Sequence, residues 1–137
     1  MPASIEQLQR VRLFEDMDQR ELRSLASSFK ERTFGAGDTV ATEGAGGVGF
    51  FIIEDGEAKV TLRGEEKARL GPGDYFGELA LITEGRRTAS IVAETDLRCY
   101  GLTSWEFRPL VESNASIAWK LLQALAKQLR EARAETA

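Results

Sequence analysis

Residues 50–64 read FFIIEDGEAKVTLRG, and this stretch decides the fold class. Apolar and polar side chains alternate from Ala58 to Arg63, as expected of a strand that buries one face. The preceding run at 50–53 is rich in residues that favour strands, and there Phe51 and Ile53 are expected on the face opposite to Phe50 and Ile52. Asp55-Gly56 stands between the two runs and is a typical hairpin sequence, because both residues accept positive φ angles. We therefore predict two antiparallel strands joined at this turn.

Turn signals continue on both sides of this stretch. All 13 glycines lie between Gly35 and Gly101, and Gly64 marks the next turn. Further strand-like runs at 87–93 and 97–102 bring the total to about seven or eight short strands. No helix-length segment separates them, so a parallel doubly wound sheet is disfavoured. The fold class is mainly β, as an antiparallel sandwich, barrel or jelly roll.

The N-terminal end of the chain is predicted to be helical. Its first 34 residues contain no glycine, which costs about 1 kcal/mol relative to alanine inside a helix. Asp18, with Glu21 three residues later, forms a capping box and predicts a helix over 18–29. Looser helical spacing covers 5–14.

The last 36 residues also lack glycine. A short helix is predicted after Ser104. Apolar residues recur every four positions from Ile117 to Leu129 and indicate a long amphipathic helix over 115–134.

At 137 residues the chain fits one domain. Its three parts are an N-terminal helical segment at 1–34, a β region at 35–103 and C-terminal helices at 104–135.

The composition excludes several classes of function. Lys and Arg total 18 against 22 Asp and Glu, and the net charge of −4 offers no general attraction for nucleic acid or an anionic membrane. With no His and one Cys, the chain lacks His-based triads, His-ligated metal sites and an internal disulfide. Cys99 shares a predicted strand face with Leu97 and is expected to be a small buried hydrophobe. Because there is no signal peptide and no long apolar run, we expect a soluble, cytoplasmic chain.

The stretch GAGGVG at 44–49 matches the dinucleotide-binding pattern G-x-G-x-x-G. That pattern requires a helix directly after it, so that the helix N-terminus meets a pyrophosphate. Here a strand is predicted from Phe50, so we interpret these glycines as a loop between strands.

The stretch GDYFGELALITEGRRTAS at 73–90 carries the candidate site. A one-turn helix beginning at Gly77 or Glu78 presents unpaired backbone N–H groups, and such groups bind anions. Arg87 follows after a turn, and its planar guanidinium can return to these groups. Together they form a compact phosphate receptor.

Neighbouring residues extend this receptor. Thr88 adds a hydroxyl and Ala89 a backbone N–H. The carboxylate of Glu78 cannot bind phosphate but is suited to accept a hydrogen bond from a sugar hydroxyl. A phosphate and a ribose 2′-hydroxyl held side by side describe a cyclic nucleotide. Two alternatives stay open: Glu78 and Arg87 could form a plain ion pair, and Arg86 could take the phosphate instead.

These residues closely resemble the cyclic nucleotide-binding domain family. The family's phosphate-binding cassette reads F-G-E-[LIV]-A-L-[LIV], a short turn and then R-[AT]-A-[ST], and 76–82 with 87–90 fit it without a gap. Strand and turn signatures at 34–44 and 51–56 also match, so the resemblance covers residues 5–135. It implies a β-roll or jelly roll, a double-stranded β-helix, with N-terminal helices and C-terminal lid helices.

The resemblance also implies the ligand-binding residues. Arg87 pairs with the cyclic phosphate, while Val60 and Leu62 line the purine unless they are simple core residues. Arg130 or Arg133 could stack on the purine or hydrogen-bond to it. The implied set is Phe76, Gly77, Glu78, Leu79, Ala80, Arg87, Thr88, Ala89, Val60, Leu62, Arg130 and Arg133, with no catalytic and no metal-binding member.

The implied function is sensing without catalysis. A threonine after the arginine, as at Thr88, resembles the family members that bind cGMP. Some channel domains with the same R-R-T-A-S stretch nevertheless prefer cAMP. We therefore expect cAMP as the ligand and keep cGMP as the alternative. Bound ligand is expected to recruit the C-terminal helix over the base and so regulate a protein effector. The alternatives are a sensor domain excised from a larger transcription regulator, channel or kinase, a ligand-free interaction module, and a metal-free isomerase that uses Glu78 and Arg87.

The long C-terminal helix is also compatible with a homodimer, as in the transcription regulators of the family. Those regulators bind DNA through a helix-turn-helix that follows this domain. The present chain stops before such a segment, so we expect no binding to nucleic acid by this chain alone. We also expect no membrane partner and no cofactor besides the cyclic nucleotide ligand.

Overall fold

A computed structural model of the chain describes residues 4–41, 49–83 and 89–136. The helices are α1 (Ile5–Gln9), α2 (Gln19–Ala26), α3 (Ser104–Glu112) and α4 (Ala115–Thr136), with 3-10 turns at Arg12–Phe14 and at Glu78–Leu81, the latter called the cassette turn below. The strands are β1 (Lys30–Phe34), β2 (Thr39–Ala41), β3 (Gly49–Asp55), β4 (Ala58–Leu62), β5 (Glu65–Leu70), β6 (Tyr75–Phe76), β7 (Ser90–Ala93) and β8 (Leu97–Thr103). The predicted mainly β fold with helices at both ends is therefore confirmed, but β1 begins at Lys30, inside the segment 1–34 that was predicted to be helical.

Two antiparallel four-stranded sheets form the β region. Their strand orders are β1-β8-β3-β6 and β2-β7-β4-β5. Strand β3 alternates as predicted: Phe50 and Ile52 lie in a core shared with the helices, whereas Phe51 and Ile53 belong to the core between the sheets. The helices thus cover one face of the first sheet, and the second sheet covers the other.

The predicted hairpin at Asp55-Gly56 is wrong. Strand β3 pairs with β8 and β6, whereas β4 pairs with β5 and β7, so this turn carries the chain from one sheet to the other. The β3–β8 register shifts at Asp55, whose carboxylate accepts a hydrogen bond from Arg98 Nη2 at 2.7 Å. Gly56 has a φ of 93° and lies so close to Asp96 that an added Cβ would stand 2.2 Å from its carbonyl oxygen. A turn was predictable here, but its strand partners were not.

The hairpin of this region lies one strand later. Strands β4 and β5 pair directly, and the turn between them contains Arg63 and Gly64 at φ angles of 53° and 80°. Two consecutive positive φ angles are typical of a type I′ turn, whose twist matches that of paired strands.

The N-terminal helices agree with the capping signals and are shorter than predicted. Asp18 and Glu21 form the predicted capping box at the start of α2, with both hydrogen bonds at 2.9 Å. The helix ends at Ala26 instead of residue 29, because the chain turns there into β1 while burying Phe29. The segment 5–14 is likewise divided, since Val11 is extended with a φ of −78° and a ψ of 120°.

The C-terminal helices begin close to their predicted positions. Thr103, the residue before Ser104, caps α3 and shares a capping box with Glu106. The hydrogen bond from Thr103 lowers the pKa of Glu106 to about 2, an effect that burial opposes and Lys30 reinforces. The following helix, α4, spans 22 residues.

Cys99 is buried in the core between the sheets together with Leu97, as predicted. Burial raises the pKa of its thiol to about 12, so the group stays protonated and unreactive at neutral pH. In the described ranges, no helix combines the length and the apolar character that a membrane crossing requires.

Candidate functional site

The cassette turn begins at a glycine that must be left-handed. Gly77 has a φ of 83° and a ψ of 14°, and it redirects the chain from β6 into the turn. The Ala80 N–H donates to the Gly77 carbonyl at 3.0 Å, which closes the turn. The first N–H groups of any helix have no acceptor within it, and here they belong to Glu78 and Leu79. The predicted one-turn helix at Gly77 or Glu78 is thus confirmed.

Apolar contacts anchor the cassette turn at both ends. Before it, the Phe76 ring stacks on Phe51 with centroids 5.4 Å apart. After it, Leu81 is buried in the core shared with the helices. Between these anchors Leu79 is half exposed, and Glu78 is partly buried at the surface. Phe76 and Leu81 therefore anchor the turn, while the side chains of Glu78 and Leu79 remain accessible.

Part of the predicted phosphate receptor lies outside the described residues. Arg87 and Thr88 fall in 84–88, as does Arg86, so the structure places none of the three. Ala89 is described and partly buried, directly before β7. The cassette turn and Ala89 thus flank the segment that carries the predicted cation.

The predicted purine-lining residues lie on β4. Val60 pairs with Ile91 of β7, and its side chain packs against the core between the sheets. Leu62 is partly buried at the end of the same strand. Because Thr61 pairs with Ser90, the strand that carries both residues runs beside the chain that leaves Ala89. The topology therefore brings β4 next to the end of the cassette.

The two arginines predicted on the lid helix lie far along α4. Arg130 and Arg133 are exposed, whereas Ile117 and Leu121 of the same helix lie in the core shared with the N-terminal helices, and Ala124 is also buried. In this structure α4 is docked on the N-terminal helices, whereas the predicted position over the base concerns the ligand-bound chain.

Sequence reasoning recognised Glu21 only as a capping residue. The structure shows that its carboxylate, 6% exposed, also accepts hydrogen bonds from Lys120 and from the Ser116 hydroxyl on α4. Burial alone would raise the pKa of Glu21, but these bonds and one from the Asp18 backbone lower it to about 2. A capping box is a local pattern, so it carries no signal of partners about a hundred positions away.

The described residues offer no metal site. In the ranges 4–41, 49–83 and 89–136, no three Cys, Asp or Glu side chains are grouped so that they could hold an ion. At the cassette turn the structure describes backbone N–H groups and the partly buried Glu78 side chain.

Comparisons with known proteins find a family model and several channel relatives that match this chain. The model of the cyclic nucleotide-binding domain family matches residues 31–114. The potassium/sodium hyperpolarization-activated cyclic nucleotide-gated channel 4 of Homo sapiens is 35% identical over 100 residues, which are 73% of this chain and 8% of the channel. Channel 1 of Oryctolagus cuniculus is 36% identical over 100 residues, 11% of its length. The chain thus spans a small part of these relatives.

Solved structures extend the similarity to the helices. The N-terminal domain of a transcriptional regulator from Streptomyces coelicolor A3(2) has a TM-score of 0.86 and 29% identity, covering 96% of this chain and 95% of that one. Thermus thermophilus catabolite activator protein has a TM-score of 0.70 and 31% identity, covering 91% of this chain and 61% of that one.

Proposed function

The chain belongs to the cyclic nucleotide-binding domain family, and we propose that it binds cAMP, with cGMP as the second candidate, at the cassette of residues 76–90. The observation that carries this proposal is the cassette turn, which a left-handed Gly77 starts inside the range that the family model matches. Domains of this family are regulatory and not catalytic, so we expect the bound nucleotide to be released unchanged.

The cyclic phosphate is assigned to the start of the cassette turn. The N–H groups of Glu78 and Leu79 point out of the first turn, where an anion is stabilised. Arg87 supplies the opposite charge and two parallel hydrogen bonds. Thr88 and Ala89 add a hydroxyl and an N–H beside it. The Ala80 N–H already closes the turn, so its contact with the phosphate is the weakest of those expected.

The sugar and base are assigned to the two sides of this phosphate site. The Glu78 carboxylate accepts the ribose 2′-hydroxyl, which a 2′-deoxy analogue lacks. Val60 and Leu62 present an apolar strand surface for the purine. On this assignment Thr88 either contacts a phosphate oxygen or a guanine amino group, and this choice separates cAMP from cGMP.

The response to ligand is assigned to α4. In the proposed bound state its C-terminal part leaves the N-terminal helices and places Arg130 or Arg133 against the base. Ligand then favours this arrangement by its difference in affinity for the two positions. The output is regulation of a protein effector, or of further domains where the chain is part of a larger channel, kinase or transcription regulator.

A thermal shift with cyclic nucleotides tests the proposed function. At about 100 times the Kd, a ligand stabilises the folded chain by about 2.7 kcal/mol, which raises the Tm by several degrees. We expect this rise with cAMP or cGMP and a much smaller one with 2′-deoxy-cAMP or 5′-AMP. An unchanged Tm with both cyclic nucleotides at millimolar concentration favours the alternative, a ligand-free interaction module.

A homodimer through α4 is the proposed assembly. Trp119, Leu122 and Leu129 are 62%, 58% and 53% exposed on the helix face opposite its buried side. With Ala126 they follow the alternating three- and four-residue spacing of a coiled-coil seam. We expect sedimentation to show a concentration-dependent dimer that Leu122→Glu abolishes and Gln123→Glu, off the seam, preserves. A wild-type chain that is monomeric at all concentrations contradicts this assembly.

A further inference from the structure

Ion pairs connect α4 to the N-terminal segment from Lys120 to Glu131. We call this set the docking ladder, and its members are Lys120–Glu21, Lys120–Asp18, Lys127–Asp16, Lys127–Glu15 and Glu131–Arg12. The α4 residues of the ladder are separated by seven and four positions, so they lie on one helix face. The opposing charges come from 12–21, which includes the turn between α1 and α2.

The two ends of the ladder differ in what supports them. At its N-terminal end, Lys120 meets the buried Glu21 beside Ile117 and Leu121, which lie in the core. No residue of α4 after Ala124 is fully buried in the part of the helix whose side chains the structure describes. Beyond that point Lys127 and Glu131 are both more than half exposed and pair with charges on 12–16.

The exposed end of the ladder includes the part of α4 that carries Arg130 and Arg133, the two arginines assigned to the base. Arg130 and Arg133 lie within six positions of Lys127, next to Glu131. Glu131 contacts Arg12 Nη2 at 2.6 Å, and the backbone N–H of Arg12 donates to the Tyr75 hydroxyl at 3.4 Å. Tyr75 is on β6, which leads directly into Gly77. Glu131 is therefore connected through Arg12 and Tyr75 to β6, the strand that precedes the cassette turn.

We infer that the Lys127 and Glu131 ion pairs form an electrostatic catch that keeps the C-terminal half of α4 off the ligand and so sets the nucleotide affinity. The Glu21–Lys120 pair keeps the N-terminal half of α4 in place while the C-terminal half moves. This inference rests on the proposed function, because it concerns affinity at the same site. The observed affinity falls in proportion to the fraction of chains in the binding-competent position, so opening the catch strengthens binding.

Charge reversal at Lys127 tests the catch. In Lys127→Glu, the new carboxylate faces Glu15 and Asp16 and repels them. Exposed ion pairs are weak, but the reversal replaces attraction by repulsion, so we expect cAMP to bind about three- to ten-fold more tightly. The swap Asp16→Lys with Lys127→Glu restores attraction and should return the affinity toward wild type. Lys67→Glu makes the same charge change on β5, away from α4, and should not tighten binding.

A distance measurement tests the catch without any ligand. Arg23 on α2 and Ala134 on α4 are exposed, and each can be replaced by cysteine and spin-labelled, while the buried Cys99 stays unlabelled. We expect one narrow distance distribution in the otherwise wild-type chain and a second, longer one on adding Lys127→Glu, removed by the swap. An unchanged distribution, or weaker cAMP binding by Lys127→Glu, overturns the inference. If Lys127→Glu lengthens the distance but the chain binds no cyclic nucleotide, the proposed function is overturned. The ion pairs then hold α4 in place without affecting a ligand.

Discussion

Arg87→Ala is expected to weaken cAMP binding by tens-fold to thousands-fold. The substitution leaves a partly buried phosphate without its cation, and such a loss costs about 2–5 kcal/mol, where each 1.4 kcal/mol is ten-fold in affinity. Residue 87 lies outside the described residues, so this assignment rests on the motif that surrounds it. Isothermal calorimetry of the wild type and the variant with cAMP measures the effect.

Arg86→Ala is the matched control for this experiment. It removes the same guanidinium one position earlier and is expected to change the affinity by less than about three-fold, as for a solvated charge near an anion. If Arg86→Ala causes the large loss and Arg87→Ala does not, the phosphate belongs to Arg86. Equal binding by both variants and the wild type contradicts a phosphate site at this segment.

Gly56→Ala is expected to have the largest effect on folding. Gly56 adopts a φ of 93°, which costs a residue with a Cβ about 1–2 kcal/mol. In addition, the Cβ would stand 2.2 Å from the backbone carbonyl oxygen of Asp96 and 3.0 Å from the Thr95 side chain. Backbone cannot yield as a flexible side chain does, so the crossover between the sheets must distort. We expect a loss of at least about 3 kcal/mol in the free energy of unfolding and a fall in Tm of about 10 °C or more.

Gly37→Ala is the control that separates the conformational cost of a positive φ from the steric clash with Asp96. Gly37 has a φ of 90°, close to that of Gly56, but nothing lies within 4 Å of its added Cβ. This variant should therefore lose only the conformational part, about 1–2 kcal/mol. Urea unfolding of both variants measures the two losses. Similar losses for Gly37→Ala and Gly56→Ala mean that the close approach to Asp96 does not limit stability.

Local patterns in the sequence predicted the elements well. Alternation in β3 correctly separated Phe50 and Ile52 from Phe51 and Ile53, because a strand's faces follow directly from residue parity. The capping box at Asp18 correctly located the start of α2, because its hydrogen bonds join residues only three positions apart in the chain. The cassette turn was predictable because Gly77 and the helix-forming residues after it are adjacent in the chain.

Features that depend on distant partners were not predictable. Asp55-Gly56 has a hairpin sequence, but β3 and β4 lie in different sheets because each finds its partners among strands elsewhere in the chain. The docked position of α4 was not predictable for the same reason, because its partners lie about a hundred positions away in the chain. Its apolar stripe predicted a buried face, and only the structure shows that Glu21 and Asp16 on the N-terminal segment receive Lys120 and Lys127.

The most direct test of cyclic nucleotide binding at the cassette is a calorimetric titration of the wild-type chain with cAMP and cGMP, followed by 5′-AMP under the same conditions. The proposed site predicts saturable binding of one cyclic nucleotide per chain, much tighter than the binding of 5′-AMP, and its loss in Arg87→Ala. Absence of saturable binding for both cyclic nucleotides, or equal affinity for cAMP and 5′-AMP, contradicts it.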